Sequence, residues 1–124
     1  MIKNNNHLLG VILAGGLSRR MNNQNKFIKK IDGKTIISLI IAKALKQVNE
    51  LVINSNIDEK EIKKFNLPII KDTLAGYFGP LAGILSGMEY ASKKKFKWLF
   101  SFPCDAPFFP GNLVEKILDK AEKK

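Results

Sequence analysis

Residues 12–26 read ILAGGLSRRMNNQNK. Apolar residues give way to two adjacent glycines, Gly15 and Gly16, then to the chain's only two arginines, Arg19 and Arg20, and finally to Lys26. Glycines let backbone N–H groups approach an anion closely. Arginines as planar forks and a lysine as a point charge can neutralise what charge remains, so the stretch suits a phosphorylated ligand. It lacks the GK[ST] of a Walker loop and the GxGxxG of a dinucleotide fold. On glycine content alone, a tight structural turn with solvated cations explains it equally well.

Three further positions carry candidate chemistry. Asp105 lies in FPCDAPF, where a carboxylate in a proline-stiffened loop suits Mg2+ whose other ligands are phosphate oxygens. The alternative is a helix cap, but Pro107 and Pro110 place the next helix several residues later. Asp72 and Asn54 stand at the ends of expected strands. There a carboxylate can accept from both the N1–H and the exocyclic amine of guanine, and an amide can reach a base or ribose; alone, both also read as turn residues. Cys104 reads as a small buried filler, and His7 as inert.

The elements that must position these residues alternate. Residues 8–14 (LLGVILA) form a continuous apolar run, the form of a buried parallel strand. A polar loop follows, then a helical pattern over 35–47, a strand over 50–56, a short charged helix over 58–65 and a strand over 67–72. Pro80 suits the first turn of a helix running through LAGILSGMEYASKK. Gly79, Pro80, Ala82, Gly83 and Gly87 surround its start, where small residues admit a ligand or a neighbouring strand, although close helix-to-sheet packing explains Gly87 better. A fourth strand spans 97–102 and a last helix runs from about Gly111 to Lys120. Four alternations point to βαβ units and a parallel sheet with helices on both faces. In such sheets ligands sit beyond the carboxyl ends of the strands, where the glycine loop, Asp72 and Asp105 all fall.

Size and composition agree with one domain: the chain has 124 residues, 45% of them hydrophobic. A formal charge of +10 reads chiefly as solvating lysines rather than as a nucleic-acid interface, since no aromatics interleave with the cations beyond KKKFKW. One cysteine excludes an internal disulfide and suits a reducing cytoplasm. The apolar run TIISLIIA meets Lys43 after eight residues, short of the roughly 20 a membrane helix needs. The expectation is a soluble, cytoplasmic protein with no membrane partner.

In this order, LAGGLSRRM, the following Lys26, GPLAGILSGMEYA and PCDAPF resemble the molybdenum cofactor guanylyltransferases, also called molybdopterin-guanine dinucleotide biosynthesis protein A. The resemblance implies a Rossmann-like, open, mainly parallel sheet of the nucleotide-diphospho-sugar transferase fold. It also implies transfer of GMP from Mg·GTP to the terminal phosphate of molybdopterin, with release of pyrophosphate. By position, Leu13, Ala14, Gly15 and Gly16 line the nucleotide, with Lys26, Asn54 and Asp72 as further GTP contacts. Lys26, Arg19 and Asp105 take catalytic roles, Asp105 as the Mg2+ ligand. The family usually has glycine and aspartate where this chain has Asn22 and Asn25. Its chains also continue well beyond residue 124, so the resemblance implies a truncated C-terminus. Residues 1–124 then form the nucleotide-binding part of a single domain, lacking most of the pterin pocket and leaving a sheet edge open to self-association.

Three other readings compete. A cytidylyltransferase or sugar-1-phosphate nucleotidyltransferase resembles LAAG rather than LAGG at the first loop. A non-catalytic nucleotide-binding module is the second, and a nucleic-acid binder, suggested by charge alone, is the third.

Overall fold

The first strand, β1 (Leu8–Leu13), is apolar on both faces, so each face needs its own cover. The computed structural model, which describes residues 8–14, 20–21, 24–25, 30–31, 34–55, 60–72, 80–103 and 108–122, supplies both covers. Leu8 and Ile12 enter one cluster with Ile37, Ile40, Leu51, Ile53, Ile62, Phe102, Val114 and Leu118. Leu9 and Val11 enter the opposite cluster with Val52 and Ala91.

The sheet consists of β1, β6 (Glu50–Asn54), β7 (Ile69–Ile70) and β8 (Trp98–Pro103), in the order β7-β6-β1-β8 with every pair parallel. Helices α1 (Ile36–Leu45), α2 (Lys60–Lys63) and α4 (Leu113–Glu122) contribute to the first cluster. Helix α3 (Pro80–Lys93) covers the other face and starts at the expected Pro80. The open parallel sheet with helices on both faces is therefore present. Among the described residues, no helix is long and apolar enough to cross a membrane.

Packing decides α1. It contains four isoleucines, each costing a few tenths of a kcal/mol in helix propensity, roughly, against about 1.5–3 kcal/mol for burying each such side chain. Ile37, Ile40, Ile41 and Ala44 recur on one stripe and are buried. Thr35 caps the helix, its Oγ1 accepting from the Ser38 N–H at 3.2 Å.

Two elements are shorter than the sequence suggests. The strand expected over 67–72 pairs only through Ile53 with Ile69 and Asn54 with Ile70. It lies at the sheet edge, and Pro68 has no N–H to extend the ladder, although its carbonyl accepts from Ile53 N at 2.9 Å. The charged helix, described over Lys60–Lys63, ends before the expected residue 65, with Asn66 beyond it in a left-handed conformation, φ 57°.

The polar loop also contains two unexpected antiparallel ladders. β2 (Arg20–Met21) pairs with β3 (Gln24–Asn25), and β4 (Lys30–Ile31) with β5 (Lys34–Thr35). The intervening dipeptides in the sequence, Asn22-Asn23 and Asp32-Gly33, are of the type that closes tight hairpins.

Candidate nucleotide site

The carboxyl ends of the four strands lie in one row. Leu13 is the register partner of Asn54 on one side and of Pro103 on the other, while Asn54 pairs with Ile70. Ala14, fully buried, donates its N–H to the Asn54 carbonyl at 2.8 Å, which fixes the point where the glycine loop begins.

Asn54 is 2% exposed, and its amide nitrogen makes two bonds. Nδ2 donates to Asp72 Oδ1 at 2.9 Å and to the Ile70 carbonyl at 3.3 Å. The same carbonyl accepts from Ser55 N at 3.0 Å. A buried amide whose two hydrogens are both used has one orientation, so Asn54 presents a fixed donor to one oxygen of the half-buried Asp72 carboxylate. A carboxylate has about four lone-pair sites, and the Asn54 amide takes one of those on Asp72 Oδ1.

Gly83 allows this arrangement. A Cβ at that position would overlap Asn54 Oδ1 and lie 3.0 Å from both Asn54 Cγ and Leu13 Cδ2, so only glycine brings α3 this close to the site. Gly87, one turn later, faces Val11 Cγ1 at 3.2 Å and Leu99 Cδ2 at 3.4 Å, the helix-to-sheet packing its sequence position suggests.

The structure thus brings together Leu13, Ala14, Asn54 and Asp72. Gly15, Gly16, Arg19, Lys26 and Asp105 lie outside the described residues, as do Cys104 and His7. Their chain neighbours are placed. Arg20 and Asn25 are register partners across β2 and β3, so the residues flanking that pair in sequence are Arg19 and Lys26. Pro103, two residues before Asp105, is paired with Leu13, two residues before Gly15. Among the described residues no group of three or more His, Cys, Asp or Glu side chains could hold a metal by itself.

Sequence reading missed Lys43 and Gln47. Lys43 Nζ donates to the Phe109 carbonyl at 2.8 Å. Gln47, 2% exposed, donates to the Pro110 carbonyl at 3.2 Å and accepts the Val114 N–H on Oε1 at 2.9 Å. The bonds span 63 to 67 residues, and neither side chain belongs to a local motif.

Comparison with known proteins gives the family and the fold. Molybdenum cofactor guanylyltransferase from Yersinia pestis is 39% identical over 111 residues, covering 90% of this chain and 55% of the relative. The protein of that name from Rhodopseudomonas palustris is 35% identical over 109 residues, covering 86% and 51%. The chain therefore spans about half the length of these curated relatives. Among solved structures, a CMP:2-keto-3-deoxy-manno-octonic acid synthetase complexed with CTP superposes with a TM-score of 0.68 at 20% identity, over 94% of this chain and 48% of that one. A nucleotidyl transferase from Methanothermobacter thermautotroptrophicus gives 0.68 at 14%, over 92% and 57%. A Mycobacterium tuberculosis protein solved as a manganese complex gives 0.58 at 12%, over 93% and 59%. These structures share the fold. The sequence of residues 10–124 matches the MobA-like NTP transferase domain, and the chain belongs to that family.

Proposed function

We propose that residues 1–124 bind Mg·GTP beyond the carboxyl ends of β1, β6, β7 and β8. They form the nucleotide-binding part of a guanylyltransferase that transfers GMP to the terminal phosphate of molybdopterin. The names of the curated relatives support the reaction. The observation that carries the choice of base is the Asp72 carboxylate, bonded to Asn54. Guanine offers it two adjacent donors, N1–H and the exocyclic amine, whereas cytosine offers one.

In the proposed reaction an oxygen of the molybdopterin phosphate attacks the α-phosphorus of GTP. The bond from that phosphorus to the bridging oxygen breaks, and pyrophosphate leaves. Such a step needs positioning and charge neutralisation more than covalent chemistry. Backbone N–H groups of the Gly15-Gly16 loop approach the phosphates, Lys26 and Arg19 neutralise charge, and Leu13 and Ala14 bound the nucleotide.

Asp105 is the proposed Mg2+ holder. Its segment leaves β8 beside the strand that leads to the glycine loop, and one carboxylate with nucleotide oxygens is a donor set that Mg2+ accepts. The bound ion supplies neutralisation of phosphate oxygen charge. The single cysteine accords with the cytoplasmic location this chemistry implies.

Asp105→Asn is expected to keep the fold while lowering the Mg2+-dependent gain in GTP affinity by about tenfold or more, read by titration calorimetry in Mg2+ and in EDTA. An unchanged gain would remove Asp105 from the metal. For the reaction itself, pyrophosphate release is measured with molybdopterin and either GTP or CTP. Release with GTP that depends on the acceptor supports the proposal; faster release with CTP contradicts it.

A further inference from the structure

The two edges of the sheet are built differently. The β7 edge is short and guarded: its paired residues, Ile69 and Ile70, stand between Pro68 and Lys71, and proline and lysine are residues that commonly block a further strand. The β8 edge has six residues, WLFSFP, with no charge among them. Each of them pairs with β1 on one side, in unbroken register, and among the described residues none pairs on the other.

The composition of β8 is that of a strand inside a sheet, apolar on both faces like β1. Trp98, Phe100 and Phe102 lie on the side of the first cluster and Leu99 on the side of the second. Yet β1 is buried almost throughout, whereas Trp98, Leu99 and Phe100 are only half-buried and Ser101 is exposed. A long apolar edge with no charge, no bulge and no proline before its last residue is the kind that accepts another strand.

We propose that this edge pairs with the same edge of a second copy of the chain, joining two four-stranded sheets into one. A two-fold axis perpendicular to the sheet brings the edges together antiparallel, and the residue order of β8 suits it. With the axis at Phe100, the two Phe100 side chains stand opposite each other, Trp98 stands opposite Phe102 of the other copy, and Leu99 opposite its Ser101. Aromatic residues occupy alternate positions from either end of residues 98–102, so one face of the junction carries only aromatic pairs, which stabilise neighbouring strands. The contact is isologous and closes at two copies. Because Trp98, Leu99 and Phe100 are already half-buried, the pairing covers less than the roughly 800 Å² per partner of a standard interface, and the expected dimer is concentration-dependent. The inference concerns β8 alone and does not rest on the nucleotide.

Sedimentation equilibrium on the 124-residue chain, over roughly 1 μM to 1 mM, is expected to show a mass rising from 13.9 kDa toward twice that value and no further. Ser101→Lys, at an exposed position, sets an ammonium group against Leu99 of the other copy. The axis repeats that clash, so association is expected to weaken by about tenfold or more. Phe100→Lys and Phe100→Glu each place like charges opposite each other and should be monomeric alone, while an equal mixture should associate, because opposite charges then face across the axis. Met88→Lys is the control: Met88 is 54% exposed on α3 rather than on the sheet edge, and its association constant should stay within a factor of about two. Phe100 packs against the first cluster, so Ser101→Lys decides the matter if the Phe100 variants do not fold. A chain that stays monomeric throughout overturns the proposal and leaves the edge to another occupant, such as a strand of a longer polypeptide. Association that Ser101→Lys leaves intact, that Met88→Lys abolishes, or that grows past a dimer also overturns it, since each puts the contact elsewhere. Folded Phe100→Lys and Phe100→Glu chains that stay apart when mixed overturn the pairing about Phe100.

Discussion

Gly83→Ala is expected to destabilise the protein by about 1–3 kcal/mol, the usual cost of overpacking, and to abolish GTP binding. The direction is the informative part. At an unconstrained position inside a helix, replacing glycine by alanine stabilises by about 1 kcal/mol. Here the added methyl group would overlap Asn54 Oδ1 and press on Asn54 Cγ and Leu13 Cδ2. Asn54 has nowhere to go, because it is 2% exposed and both amide hydrogens are bonded. Moving it breaks its bond to Asp72, and moving the helix opens the packing over β1. Gly87→Ala is the control: its Cβ would meet Val11 and Leu99 at 3.2 Å and 3.4 Å, and its cost should stay within about 1 kcal/mol with GTP binding retained. Denaturant unfolding and calorimetry on both variants check this. A Gly83→Ala protein as stable as the unaltered chain would mean that Asn54 is not held as described.

Asp72→Ala is expected to weaken GTP binding by about 1.5–3 kcal/mol, the range for hydrogen bonds to a charged group and roughly 10- to 100-fold in affinity. CTP binding should change little. Removing the carboxylate leaves guanine's N1–H and exocyclic amine without their proposed acceptor, so the variant loses preference rather than binding in general. The Asn54 amide also loses a partner, which makes a modest loss of stability part of the same expectation. Competition titrations with both nucleotides give the answer. If GTP and CTP weaken equally, Asp72 does not read the base.

Much of this architecture was legible in residue order. The run LLGVIL announces a strand buried on both faces because no polar residue interrupts it, and Pro80 marks the start of α3 because proline is tolerated in a helix's first turn. Asn54 and Asp72 stand out as polar residues ending apolar strands. The bond between them was not legible, since it crosses 18 residues and depends on β6 and β7 lying side by side.

Two-residue strands such as β2 to β5 carry no hydrophobic period, so only the dipeptides Asn22-Asn23 and Asp32-Gly33 could have signalled them. Gly83 and Gly87 look alike in sequence, yet one faces the Asn54 side chain and the other faces Val11 and Leu99. The attachment of Phe109, Pro110 and Val114 to α1 has no local signature, because Lys43 and Gln47 read as ordinary polar residues at a helix end.

The central claim is that the row of strand ends forms a guanine nucleotide site. It is tested most directly by thermal unfolding of the 124-residue chain with Mg2+ and GTP, CTP, ATP or UTP at equal concentrations. A ligand that binds only the folded state raises its stability by mass action, about 2.7 kcal/mol at a hundred times its Kd. The account predicts a clear upward shift with GTP, well beyond those with the other three. Equal shifts with GTP and CTP, or none with GTP, would contradict it.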